Sequence, residues 1–93
     1  MAVPTKKKSS KDAKTLNVKV ASPYHVYFDE PAYSISGVNK TGPFDILEGH
    51  HNFITLLEPC ELVIEIPSGE RRIRINGGMM HVKADMATVF LDI

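Results

Sequence analysis

Tryptophan is missing from this 93-residue chain, and cysteine occurs once. The lone thiol, Cys60, has no internal partner, so no intrachain disulfide staples the chain, which fits a reducing compartment. No apolar run approaches the roughly 18 residues that a membrane-spanning helix needs. The first fourteen residues lack the apolar stretch of a secretory signal. No window repeats apolar side chains at helical spacing, which removes the usual sign of an amphipathic helix. Catalytic and metal-binding spacings are scarce too. The chain has no HxH, HExxH or CxxC, and Asn76-Gly77-Gly78 is followed by neither a Lys-Ser/Thr pair nor a helix, so it cradles no phosphate.

Net charge is also absent, because eleven basic side chains balance eleven acidic ones. The balance hides an asymmetry. Residues 1–14 hold Lys6, Lys7, Lys8, Lys11 and Lys14 against Asp12 alone, so the remainder is acidic. A segment so basic and poor in apolar groups reads as a disordered leader over residues 1–15. Its sharper reading is a weak tether to anionic lipid or nucleic acid, at about 1 kcal/mol per lysine near a charged membrane surface. No aromatic side chain lies among those lysines, so base-stacking recognition is not expected, and no nucleic acid is expected among the partners of the domain.

What the chain does have is short alternation. Leu16, Val18 and Val20 share one face of a strand that stops at Ser22-Pro23. Strands follow over His25–Glu30, closed by Pro31, and over Ala32–Val38, then through Phe44–Leu47 and Ile54–Leu57. Leu62, Ile64 and Ile66 point inward, and Pro67-Ser68-Gly69-Glu70 makes a hairpin turn. Ile73 and Ile75 then face in while Arg72 and Arg74 face out. After the Asn76-Gly77-Gly78 break come Met79–Val82 and Ala87–Leu91, separated by a turn at Lys83-Ala84-Asp85. The pattern predicts an all-β protein, a small antiparallel β-sandwich of about 8–10 short strands over residues 16–93.

One stretch departs from that rhythm. Thr41–Ile54 sets Gly42-Pro43, Gly49, the pair His50-His51 and Asn52 around Phe44, Ile46 and Leu47. Gly42-Pro43 is a turn signal and Gly49 a second bend. A glycine-bracketed protrusion on a strand scaffold suits contact function, and an ordinary connection satisfying its own backbone is the other reading. Neighbouring strand residues point to opposite faces, so His50 and His51 share a metal only on a distorted loop. Cys60 lacks an oriented base, so neither catalysis nor a cofactor is expected. Outward apolar residues carry more. Val63, Met79 and Phe90, with His81, would form an exposed interface patch if they cluster.

Several of these motifs, in this order, resemble the amino-terminal β-sandwich domain of the epsilon subunit of F-type ATP synthases, called delta in mitochondria. Val18-Lys19-Val20-Ala21-Ser22-Pro23 is similar to the family's opening strand and break. Gly42-Pro43-Phe44-Asp45-Ile46-Leu47-Glu48-Gly49-His50 resembles its Gly-x-Phe-Gly-Ile-Leu-Pro-Gly-His hallmark. Ile54–Leu57 with Glu58-Pro59-Cys60, the Asn76–Val82 strand start and the closing Ala87–Leu91 follow in family order. Asp45, Glu48 and Cys60 replace the family's usual Gly, Pro and Gly, and Pro43 stands where an acidic residue is common.

The resemblance implies a non-catalytic central-stalk subunit that couples the membrane c-ring to the gamma shaft. It would be peripheral on the cytoplasmic face of the energy-transducing membrane, without a cofactor or metal. Ring and stalk contacts would fall on Gly42, Pro43, Phe44, Asp45, Glu48, Gly49, His50, His51 and Asn52, and gamma would face Val63, Met79, His81 and Phe90. The carboxy-terminal helical hairpin of the family is not expected within these residues. A free-standing β-sandwich that binds a ligand or another protein, with an enclosed pocket beside His50, is the alternative.

Overall fold

In the computed structural model, which describes residues 14–91, nine strands alternate with short turns: β1 (Leu16–Ser22), β2 (His25–Ala32), β3 (Ser34–Asn39), β4 (Gly42–Leu47), β5 (Phe53–Leu57), β6 (Cys60–Ile66), β7 (Gly69–Ile75), β8 (Gly78–Lys83) and β9 (Met86–Leu91). The basic leader expected over residues 1–15 lies almost wholly outside the described residues, as do Asp92 and Ile93. Among the described residues no helix is long and apolar enough to cross a membrane.

Two sheets stack face to face. The larger has the order β2-β1-β9-β8-β5 and the smaller β4-β3-β6-β7. Alternation along each strand sends one set of side chains between them. Leu16, Val18 and Val20 of β1, Met80 and Val82 of β8, and Ala87 and Val89 of β9 meet Ile35, Ile46, Leu62 and Ile64 of the smaller sheet, all at or near full burial. Each of these side chains larger than Ala87 contributes about 1.5–3 kcal/mol of transfer free energy. Cys60 is buried in the same core as a free thiol.

The sandwich expected from the alternation is present, with local corrections. One pairing is parallel: β1 runs alongside β9 in register from Asn17↔Met86 to Ala21↔Phe90. The first and last described strands meet within one sheet, and all seven strands between them serve as their crossover. Pro31 does not close β2, which continues to Ala32 and pairs Pro31 with Asn17. Its missing N–H is tolerated because β2 is an edge strand. The third strand accordingly begins at Ser34, after Tyr33 carries the chain between sheets and donates its N–H to the Glu65 carbonyl at 2.7 Å. Gly42-Pro43 is no turn either. The turn is Lys40-Thr41, where the Asn39 side chain accepts from the Thr41 amide at 2.9 Å, and Gly42 and Pro43 open edge strand β4.

Four hairpins lie within sheets, and the other four connections cross between them. The β7–β8 crossing turns on Gly78, where an added Cβ would sit 2.5 Å from the Phe90 carbonyl oxygen. Only glycine lets β8 approach β9 there. The sandwich flank between edge strands β2 and β7 is closed by the Arg71 guanidinium, 5.4 Å from the centre of the Phe28 ring.

Ile64, fully buried on the central strand β6, reports on this packing. Ile64→Ala is expected to lower unfolding free energy by about 2–5 kcal/mol, read as a lower urea midpoint at unchanged slope.

Candidate functional site

The stretch expected to form one protrusion is divided by the fold. Gly42 and Pro43 sit at the start of β4 against Asn39 and Val38, while Glu48, Gly49, His50, His51 and Asn52 follow its far end. The four strand residues Phe44 to Leu47 separate the two sets by roughly 17 Å. Asp45 points from the outer face of the smaller sheet and accepts a hydrogen bond from the Ser36 hydroxyl. Phe44 turns inward and is half-buried against the core.

What comes together instead is a ring cluster beside the 48–52 loop. The edge of Phe44 packs on Phe53 at 5.6 Å between centroids, and His50 meets the same ring at 5.5 Å. The loop opens with a tight turn: the His50 amide donates to the Leu47 carbonyl at 3.2 Å, with Gly49 in its third position at φ 84°. A type II turn needs that positive φ, so Gly49 is the residue that fits. Asp85 holds the loop from outside. Its carboxylate accepts from the Gly49 amide at 2.9 Å while its carbonyl accepts from the Asn17 amide at 2.9 Å.

Asp85 reaches both because the Ala84-Asp85 turn has φ of 48° and 61°. Positive φ at both central positions is the primed hairpin geometry that favours Asn-Gly, and Ala84 adopts it without that ease. The His50 Nδ1 lies 2.9 Å from the His51 carbonyl, and the two histidine rings stand 6.3 Å apart, both exposed. Among the described residues no three His, Cys, Asp or Glu side chains converge as a metal site.

The outward residues Val63, Met79, His81 and Phe90 fall on two faces. Val63 lies on the smaller sheet between Ser36 and Arg72. That surface is polar: Arg72 bonds Glu70 at 2.6 Å and Glu61 at 3.1 Å. The bonds to Glu70 first, then Glu61, raise the pKa of the guanidinium above its ordinary value.

Met79, His81 and Phe90 share the outer face of the larger sheet, where strand register builds something the motifs did not show. Leu56 stands opposite Met79, Met79 opposite Phe90, Phe90 opposite Ala21, and Ala21 opposite Val26. An apolar row therefore crosses all five strands, with Leu56, Val26 and Phe90 largely exposed. The next row is mixed, Ile54, His81, Thr88, Lys19 and Asp29. Beside the apolar row an open groove of about 450 Å³ runs between Lys19, Ala21, Pro23, Val26 and Phe90. A wider groove of about 1020 Å³ lies at one end of the sandwich by Tyr24, Tyr27, Arg74 and Gly77. Neither is enclosed, and His50 lines neither.

Sequence reading missed Leu56, Ile54, Ala21 and Val26 as surface residues. Phe53-Ile54-Thr55-Leu56-Leu57 carries too little polar contrast to reveal its outer side. A bulge between Val20 and Ala21 shifts the register on β2 and brings Val26 into the row.

Fold and surface define a class: a two-sheet sandwich with one polar outer face and one crossed by an apolar row, suited to docking against other proteins. The family model for the ATP synthase, Delta/Epsilon chain, beta-sandwich domain matches residues 15–93, and the chain belongs to that family. It is 29% identical over 79 residues to the ATP synthase epsilon chain of a Nitratiruptor species, covering 84% of this chain and 61% of the relative. It is 32% identical over 65 residues to that of Endomicrobium trichonymphae, covering 70% and 47%. The chain thus spans about half to three-fifths of the length of these relatives.

Among solved structures, a chain of the Euglena gracilis mitochondrial ATP synthase OSCP/F1/c-ring assembly shares the fold at TM-score 0.77 and 21% identity, over 83% of this chain and 50% of that one. A chain of the Tetrahymena thermophila mitochondrial ATP synthase central stalk and c-ring does so at 0.73 and 18%, over 83% and 63%.

The anchoring of the 48–52 loop by Asp85 is open to measurement. Asp85→Ala is expected to cost about 1–2 kcal/mol, from the lost charge-assisted bond and a harder positive φ. The Gly49 amide should lose hydrogen-exchange protection selectively, while β6 amides keep their protection relative to global stability.

Proposed function

We propose that this domain is a non-catalytic coupling element of a rotary ATP synthase, passing motion between the membrane c-ring and the gamma shaft. The observation that carries the reading is the Leu56–Met79–Phe90–Ala21–Val26 row on a chain of the delta/epsilon family. That face docks on gamma, burying the row and the adjoining groove. A permanent contact of this kind covers on the order of 2,000 Å² and is partly apolar.

The 48–52 loop faces the polar loops of the ring, with Glu48, His50, His51 and Asn52 exposed for hydrogen bonding and the Phe44–Phe53–His50 cluster stiffening the base. The work is mechanical. A body that transmits torque must resist shear, and a sandwich with its inward faces fully packed does so because close-packed interiors have low compressibility. In this reading the chain is peripheral on the cytoplasmic side of the membrane, held there through its protein partners.

Co-purification of the full chain with gamma and the c-ring tests the two surfaces separately. Phe90→Glu and Met79→Glu are expected to weaken gamma binding at least tenfold, since an unpaired charge enters a desolvated contact. Val63→Glu on the polar sheet is expected to leave it within about twofold. Phe44→Ala and His50→Ala are expected to weaken ring binding while sparing gamma. Full gamma affinity in both glutamate variants, with circular dichroism unchanged, would reject the assignment of that face.

A further inference from the structure

Among the described residues four strands, two in each sheet, present one unpaired edge, and such a row of N–H and C=O groups is a template for another strand. Three of these edges are blunted. β2 carries Asp29, Glu30, Pro31 and the bulge, β4 carries Pro43 and Asp45, and β7 carries Glu70, Arg71, Arg72 and Arg74. β5 reads Phe-Ile-Thr-Leu-Leu, with no charge, proline or glycine. Its outward side chains, Ile54 and Leu56, are 65% and 70% exposed, exceeded only by Tyr24 among the large hydrophobics described.

The strand is also nearly symmetric about its centre. Lay it antiparallel against a second copy with the two Thr55 residues opposed, and Ile54 meets Leu56 of the other copy twice on the outer face. Phe53 meets Leu57 twice on the inner face, and Asn52 meets Glu58 just beyond each end. This is the self-complementarity that a two-fold interface demands. Apart from Thr55 against Thr55, whose hydroxyl accepts from the Asn39 side chain at 3.1 Å, every strand pair in it is apolar, a combination that stabilises neighbouring strands. No like charges oppose one another, and a formal net charge of zero leaves little long-range repulsion between copies.

We infer that β5 is a homodimerisation edge: two copies join β5 to β5 antiparallel about Thr55, fusing their five-stranded sheets into one continuous sheet. The contact uses Leu56, which the proposed stalk-facing row also uses, so the dimer is a form of the chain outside any larger assembly. It is measured on the chain alone and does not depend on the stalk reading.

Sedimentation velocity of the full chain from roughly 10 µM to 1 mM is expected to show monomer passing to dimer. Ile54→Lys sets two lysines into the contact and should raise the dissociation constant at least tenfold with circular dichroism unchanged. Opposed Thr55 residues lie about 4.5–5.5 Å apart at Cα, within disulfide reach. Thr55→Cys should therefore cross-link between copies under mild oxidation, while Thr41→Cys on an exposed turn should not. A chain that stays monomeric throughout, which would leave the edge to a strand of a different protein, overturns the inference. So does a dimer that Ile54→Lys leaves intact and Thr55→Cys fails to cross-link.

Discussion

The parallel pairing of β1 with β9 is the constraint on which the rest of the larger sheet depends. Without it the sheet would fall into a β1–β2 hairpin and an antiparallel β5–β8–β9 triplet, each too small to hold a two-sided core. The pairing is a long-range closure between strands at opposite ends of the described residues, and its entropy cost is met by Val18, Val20, Ala87 and Val89 entering the core together. The same register sets Ala21 beside Phe90, which turns two separate apolar patches into one row across five strands.

The two outer faces diverge because their strands spend the outward positions differently. On the smaller sheet Val63 and Leu47 are outnumbered at those positions by Ser36, Asp45, Glu61, Glu65, Arg72 and Arg74, a surface that water and ion pairs largely satisfy. On the larger sheet Leu56, Met79, Phe90 and Val26 take them, and none of the described elements covers them. A contiguous exposed apolar row of this kind has the character of a contact surface. The edges follow the same logic. Proline, charge and a bulge protect three of them, and β5, adjoining the apolar face, is the one left bare.

Much of the fold was legible residue by residue. Leu16-Asn17-Val18-Lys19-Val20 and Leu62–Ile66 alternate so strictly that their inward faces could be assigned, and both assignments hold, Ile66 being partly buried. Pro67-Ser68-Gly69 marked its hairpin because the needed dihedrals restrict the residue choice. Proline misled twice, at Pro31 and Pro43, since a strand breaker in a central position is acceptable on an edge and edges are not written in local sequence. The ring cluster of Phe44, His50 and Phe53 was half visible: Phe44 and His50 stood out by motif, but their shared partner depended on how β5 crosses β3 and β4. Asp85 drew no notice beyond its turn, because its two acceptor roles reach residues 36 and 68 positions away.

By itself the sequence determined that this protein would be all-β, which strands would have a buried face, and which family pattern it followed, because period-two alternation and turn chemistry are local properties. The tertiary structure alone decided which outward residues share a surface, which strands lie at edges, and that β1 and β9 run side by side. Those depend on register between distant segments, and a shift of one residue in any ladder would send every side chain of that strand to the opposite face.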